Sequence, residues 1–479
     1  MWWIPVAVAS VIVIIITVVL IRTVRFVPSV KNEIVPSQID FDREKSVSDL
    51  ASMIRCKTVS HTDELLDDEN EFLRFDELLP SIFPKIFEKC DVKKLSKRSL
   101  LIRWRGFESS SPTVLMAHYD VVDAIPATWK HPPFDGVLED GVLWGRGTLD
   151  TKSTLNSILQ AAEHLIAEGF TPKRDVYFAF GGNEEVGGYG ARVIAEYFKN
   201  ADIEPSLVLD EGGAVVTGAF PGVKASCAVI GIAEKGFANI EYSVTDNGGH
   251  ASTPKRNGPC VRLSEACRRI EKRGFKFKVT LPTKLFTDSL GRYSTFLYRM
   301  LFSNMWLFRP VLSIYSKLTG GEINAIFRTT TAFTQMEGSS AANVIPSQAR
   351  MVSNHRIVPG ETVEGTVERI KETVSGLGVN VTLLQGVEPS PISDTQSEGY
   401  SRLCESIDAS FGGCAIAPYL MLACSDARNW GDVSDKVFRF SPIAMSSEDR
   451  ATIHASNEKI TAQQIYRATE FYIRLMKKS

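Results

Sequence analysis

The chain has 479 residues, 44% of them hydrophobic, which excludes a single small module and suggests roughly two or three domains at about 150 residues each. Its 54 basic and 56 acidic residues leave a formal charge of −2, with no long run of like charge, which argues against nucleic acid as a partner. Eight cysteines, at 56, 90, 227, 260, 267, 404, 414 and 424, fall in no CxxC pair and no zinc-finger spacing; they read as mostly buried thiols with one or two bridges at most.

The first element is Trp2 to Ile21, an uncharged run long enough as a helix to cross the roughly 30 Å hydrocarbon layer of a bilayer. A cleaved signal peptide would have a shorter apolar core and end at small residues, whereas here Arg22 and Arg25 follow. An uncleaved membrane anchor over 1–26 is therefore favoured over a signal segment. Arg22, Arg25 and Lys31 lie after the segment, and the positive-inside rule would leave the body in the cytosol. Asn380-Val-Thr382 is a glycosylation sequon usable in a lumen. Residues 27–42 read as a tether.

From 43 to 232 helix and strand signals alternate, the signature of an α/β domain with a mostly parallel sheet. Thr113–Met116, Val176–Phe180 and Leu207–Leu209 are short apolar runs of buried-strand type. Between the first two, Leu155, Ile158, Leu159, Ala162, Leu165 and Ile166 repeat at helical spacing until Gly169 stops the helix. Polar residues gather after the strands, where open α/β sheets place their ligands. Residues 233–388 change style. A strand at Ala238–Val244, a helix at Pro259–Lys272, strands at Arg328–Met336 and Gln348–Ile357, a helix at Thr362–Val374 and a strand at Val379–Leu384 make a ferredoxin-like βαββαβ order. An apolar stretch from about Phe275 to Ile326 interrupts it. Residues 389–479 return to the α/β style, with a helix near Ser401, a strand at Val437–Phe440 and a closing helix from Thr461, so the small domain is inserted into the large one.

The chemistry collects at the strand ends: His118 and Asp120 in MAHYDVV, Asp150 in GRGTLDTK, Glu184 and Glu185 in GGNEEVGG, Asp210 in VLDEGG and His454 in IHASNEK. Two imidazoles with several carboxylates suit a pair of zinc-like ions. A carboxylate such as Asp150 can bridge ions about 3.5 to 4 Å apart, which lower the pKa of a water toward about 7. From extended backbone the adjacent Glu184 and Glu185 point to opposite sides, so one ligates and the other faces the water. Asp120 is placed to accept a hydrogen bond from the second imidazole nitrogen of His118. A serine hydrolase is disfavoured, because no GxSxG elbow is present.

These motifs, with the GGHAS of residues 248–252 and with IFRTTTAFT, NVIP and HRIVPG, resemble the zinc exopeptidase family of aminoacylase and vacuolar carboxypeptidase S. The likeness runs from about residue 40 to the end and is closest to the branch holding carboxypeptidase S and the N-fatty-acyl-amino-acid synthase/hydrolases. It implies a zinc-exopeptidase-type catalytic domain with an inserted lid and dimerisation domain. It also implies two zinc ions: Asp150 bridging, His118 and Asp210 on one, Glu185 and His454 on the other, and Glu184 as general base. His250 resembles the lid histidine that stabilises the oxyanion, often supplied by the partner subunit of a homodimer. Asn343, Arg356 and Arg428 match positions that hold the substrate carboxylate, for which arginine is suited by its bidentate fork. Thr151, where an acid often follows the bridging Asp, and Asn183, where an Asp is common, depart from the pattern.

The apolar stretch carries Leu285, Phe286, Phe296, Leu297, Tyr298, Leu301, Phe302, Met305, Trp306, Leu307 and Phe308. Core packing is the favoured reading; a wall for a fatty-acyl chain, or a patch resting on the bilayer, is the alternative. The function expected is an N-acyl-amino-acid amidohydrolase able to run in reverse, with a carboxypeptidase acting on short peptides as the runner-up. A third reading, an inactive anchored binding protein, is disfavoured because every expected ligand and the base are present. The relatives work in a lumen or outside the cell, which favours a lumenal or extracellular body, or a secreted one, over the positive-inside reading.

Overall fold

The computed structural model describes residues 3–28, 36–218, 220 and 222–479. Met1, Trp2 and residues 29–35, which include Lys31 and part of the expected tether, lie outside the described residues.

The first described helix, Trp3–Arg25, has a mean hydropathy of 3.1 over its most apolar window, of which only 6% is buried by the rest of the chain. A helix that is apolar all round and not covered by protein is suited to lipid, and its 23 residues extend about 35 Å. The globular body starts at the helix Arg43–Ile54, whose N-terminus is capped by the Asp42 side chain accepting from the Lys45 N–H.

A ten-stranded sheet forms the centre of the large α/β unit. Its middle strands run Arg174–Gly181, Glu108–His118, Leu207–Asp210 and Val437–Arg439, each parallel to its neighbour. Helices Lys152–Ala167, Glu398–Phe411 and Ala462–Lys477 share the core cluster of these strands. Being covered on both faces, the strands read as continuous buried runs rather than alternating ones. Three parallel neighbours deliver His118, the Gly181 loop and Asp210 to one edge of the sheet.

A second, four-stranded antiparallel sheet has the order Thr330–Glu337, Gln348–Ile357, Gly236–Thr245, Asn380–Val387. With helices Pro259–Arg273 and Val363–Val374 its elements follow the βαββαβ order along the chain. The central strand Gly236–Thr245 alternates between buried and partly exposed positions, because helices cover only one face of the sheet.

The apolar stretch folds into helices Leu281–Leu290, Phe296–Ser303, Met305–Thr319 and Gly321–Phe327. Core packing explains only part of it. Phe286, Leu290, Ile326 and Phe327 are buried together with Ala415 and Ala417, so this layer packs on an edge of the large sheet and not within the small one. Phe296, Leu297, Trp306, Val311, Ile314 and Leu318 remain exposed. No disulfide joins any of the eight cysteines, so the one or two expected bridges are absent.

In the small sheet His355 is fully buried, between Ser353 Oγ at 2.8 Å from Nε2 and Thr331 Oγ1 at 3.0 Å from Nδ1. Burial pushes its imidazole down to about 4 from the ordinary 6.5. The unfolded chain then binds a proton that the folded chain refuses, so stability falls as pH drops from 6.5 toward 4. Denaturant titrations across that window should show a loss of up to about 3 kcal/mol that His355→Gln removes. Parallel curves for the two proteins would show that His355 does not titrate on unfolding.

Candidate metal centre

His118 ends its strand with a buried ring, Nε2 2.9 Å from Asp150 Oδ1 and 3.2 Å from Glu211 Oε1. The other nitrogen, Nδ1, lies 2.9 Å from the backbone carbonyl of Asp120 and 3.4 Å from its carboxylate. Both the Asp120 carbonyl and, at longer range, its carboxylate therefore face the second nitrogen.

The Asp120 carboxylate has a further task. It accepts the N–H groups of Glu184 and Glu185, each at 3.1 Å, and the Ser60 hydroxyl at 2.6 Å. Both glutamates lie in a turn rather than in the extended backbone expected, and Asp120 holds that turn from beneath. Their carboxylates still part company: Glu184 joins His118 and Glu211, whereas Glu185 Oε2 lies 2.9 Å from His454 Nε2. A side chain at Gly188 could not be accommodated, since its Cβ would fall 2.1 Å from Asn183 Cγ. Asn183, in place of an acid, accepts the N–H of Gly190 at 2.9 Å and tethers the start of the next helix.

Asp150 stands between the imidazoles, Oδ1 toward His118 and Oδ2 3.1 Å from His454 Nε2. Burial alone would raise its pKa, but the hydrogen bonds from the two histidines hold it well below the carboxylate range. His454 is raised to about 10, first by Asp150 and then by Glu185. Its backbone has φ of 60°, a left-handed conformation costing a non-glycine residue about 1–3 kcal/mol and found preferentially at functional sites.

The loops bearing Asp150 and His454 are tied together by Glu458, fully buried, which accepts Leu149 N–H at 2.6 Å, Gly147 N–H at 3.1 Å and Arg146 Nη1 at 2.7 Å. Sequence reading passed over this residue, although it stands in the same IHASNEK motif as His454. It also passed over Glu211, which VLDEGG signals as the second of two adjacent acids, as in GGNEEVGG. Asp210, expected beside His118, turns Oδ2 to the Ala427 N–H at 2.7 Å; it is Glu211 whose oxygen reaches the imidazole.

The electrostatics are those of a site built for cations. Burial, reinforced by neighbouring carboxylates, raises Glu184 and Asp426 well above the ordinary range, Asp210 to about 6 and Glu211 to about 8. Burial would lower His118, but Glu211, Asp120 and Asp150 together raise it. Glu185 Oε1 is buried with no hydrogen-bond partner among the described residues. Such an orphaned acceptor, beside the clusters His118–Asp150–Glu185 and His118–Glu184–Glu211, fits a metal ligand.

The remaining candidates are outside the two groups of potential ligands, although Arg428 shares a short helix with Asp426. His250 is exposed on the short strand Gly249–His250, its Nδ1 2.7 Å from Ser252 Oγ, and Asn343 is beside it through its carbonyl on the Ala251 N–H at 3.0 Å. Arg356 and Arg428 both stack over Phe237, at 5.7 and 5.8 Å. Arg428 is paired with the fully buried Glu234 at 3.0 Å, whereas Arg356 has no carboxylate partner among the described residues and meets the neutral Asn354 Oδ1 at 3.1 Å and Cys424 Sγ at 3.3 Å. Arg356 is therefore the freer cation for a carboxylate.

Residues 114–478 match the model of peptidase family M20/M25/M40. Probable carboxypeptidase S-like 2 of Dictyostelium discoideum is 35% identical over 477 residues, 97% of this chain and 92% of that protein. N-fatty-acyl-amino acid synthase/hydrolase PM20D1 of Homo sapiens is 31% identical over 452 residues, covering 92% and 89%. Among solved structures, human carnosine dipeptidase 1 superposes with a TM-score of 0.64 at 13% identity over 91% of this chain and 96% of its own. The metallo-carboxypeptidase Sso-CP2 of Sulfolobus solfataricus gives 0.62 at 18% identity, covering 90% and 98%. By its family match, its near full-length relatives and its cluster of histidines and acids, the chain is a metallopeptidase-type hydrolase belonging to peptidase family M20/M25/M40.

Proposed function

We propose that the protein is a two-zinc amidohydrolase that cleaves, and under excess of free acid and amine forms, the amide bond of N-fatty-acyl amino acids. The observation that carries the chemistry is Asp150 set between His118 and His454, beside the unpartnered oxygen of Glu185. In this reading His118 with Asp210 and Glu185 with His454 would each hold one ion and Asp150 would be shared between them, with Glu211, whose oxygen reaches His118, as the acid that competes with Asp210 for that role. Bound zinc would supply Lewis-acid polarisation of the scissile carbonyl and lower the pKa of the attacking water toward about 7.

Glu184 serves as general base: it takes a proton from the water and passes it to the leaving nitrogen, so one carboxylate acts in both halves of the reaction. Asp120 fixes the Glu184 and Glu185 backbone and so keeps base and ligand apart. Arg356, with Asn343 and Arg428, binds the substrate carboxylate. His250 lies on an exposed tip, which supports a lid histidine acting on the oxyanion in a partner subunit's site, with residues 233–388 as lid and dimerisation domain inserted between catalytic segments 43–232 and 389–479. Trp3–Arg25 spans a membrane as a single pass, and the body is lumenal or extracellular, in keeping with an exposed sequon at Asn380.

The relatives named as N-fatty-acyl-amino acid synthase/hydrolases support the substrate class. The Dictyostelium relative named as a probable carboxypeptidase favours the second reading, removal of a C-terminal residue from short peptides. The zinc-loaded protein, offered N-oleoyl amino acids and blocked dipeptides side by side, should release amino acid from the former in a chelator-sensitive manner. Preference for the dipeptide would make it a carboxypeptidase.

Three substitutions test the roles. Glu184→Gln should keep its metal content and lose about 10²- to 10⁴-fold in kcat; full activity would remove Glu184 as the base. Metal analysis of Asp210→Asn and Glu211→Gln separates the two acids: loss of metal in the first supports Asp210 as ligand, and loss in the second alone moves that role to Glu211. Glu458→Gln should weaken metal affinity about 10- to 100-fold in competition with a chelator while the ligands themselves are untouched.

A further inference from the structure

The helices between Leu281 and Phe327 enclose a cavity of about 350 Å³, within the range of ligand sites. Phe286, Leu290, Leu301, Phe302, Leu312 and Ile326 are among its lining residues, and among the described residues no charged side chain lines it. Its chemistry admits a hydrocarbon and disfavours a peptide, whose backbone would lose its hydrogen bonds there.

Two links relate the cavity to the segments that carry metal-site residues. Phe220 and Val223 on its wall belong to the segment that leaves Glu211. On the other side Arg450, at the end of the short helix that precedes His454, pairs with Glu322 of the helix Gly321–Phe327 at 3.2 Å.

The same helices hold the apolar N-terminal helix. Arg22 donates from Nε and Nη2 to the Ser303 carbonyl at 3.0 and 2.9 Å, and Asn304 Nδ2 donates to the Val19 carbonyl and Thr23 Oγ1, each at 3.3 Å. Arg292 closes the collar against Phe26, 4.6 Å from the ring centre. Only the last turns of the helix touch the body, and the rest projects from it with apolar side chains exposed on all sides. A bilayer around that helix therefore begins where the collar ends. Beside it Leu297, Trp306, Ile314 and Leu318 are 68%, 57%, 62% and 81% exposed, a patch of the kind that rests on a membrane.

We propose that this cavity binds the long alkyl chain of the substrate, and that the chain enters it sideways from the bilayer on which Leu297, Trp306, Ile314 and Leu318 rest. The amino-acid head remains at the metal centre, so the inference relies on the amidohydrolase reading for the head and on the cavity alone for the tail. Membrane seating and chain binding thus become one device, which spares the alkyl chain a passage through water.

The test uses the full-length protein in phosphatidylcholine vesicles. Lipids brominated near the headgroup should quench a tryptophan signal that Trp306→Phe removes, and cis-parinaric acid should bind. Leu301→Trp and Ile323→Trp, each filling the cavity from a different helix, should weaken parinaric acid binding about tenfold. Both should lower the ratio of kcat/KM for N-oleoyl over N-acetyl substrates by a similar factor, and thermal melting shows which variants are folded. Unquenched Trp306, or parinaric acid binding equal in the wild type and every folded variant, overturns the proposal. Tight parinaric acid binding without cleavage of any N-acyl amino acid leaves the cavity assignment standing and removes the amidohydrolase reading.

Discussion

Too many carboxylates meet two imidazoles at the end of the central sheet. Asp150, Glu184, Glu185, Asp210, Glu211 and Asp426 crowd around His118 and His454, Asp210 buried and the other five partly so. In low dielectric such acids either take up protons or gather cations, and the raised pKa values of Glu184, Glu211 and Asp426 express that stress. The fold gathers these acids from the ends of the strands Arg174–Gly181 and Leu207–Asp210 and from the segments that carry Asp150 and Asp426. Much of the surrounding detail serves to hold them against their mutual repulsion.

That holding is done by residues that touch no reacting atom. Asp120 spends its carboxylate on two backbone N–H groups, and Glu458 with Arg146 clamps the Asp150 loop to the His454 loop. The Asp120 and Glu458 carboxylates are buried and accept several hydrogen bonds each, while Arg146 Nε has no partner among the described residues. Function and stability oppose one another in the cluster and cooperate one layer farther out.

The apolar N-terminal helix and the helical insert belong to the same argument. The insert packs against the large sheet through Phe286, Leu290, Ile326 and Phe327, and it also grips the end of the apolar helix through Ser303 and Asn304. The polar collar of Arg22, Asn304 and Arg292 marks where that helix meets the globular body.

Local pattern was enough to find the strands ending at His118, Gly181 and Asp210, the helix after Asp150, the βαββαβ order and the apolar first helix. Hydrophobic period and strand-end polarity are written in neighbouring residues. The same holds for His118, Asp150, Glu185 and His454, whose motifs name them and whose side chains meet in the structure. Tertiary packing alone decided that Glu211 and not Asp210 reaches His118, that Asp120 serves the glutamate turn, and that Glu234 occupies Arg428 while Arg356 stays freer. It also decided that the insert leaves one face bare. The direction of a side chain at a strand end, and the partner that reaches it, depend on segments 64 to 217 residues away, so a reading along the chain finds the donors but not their pairing.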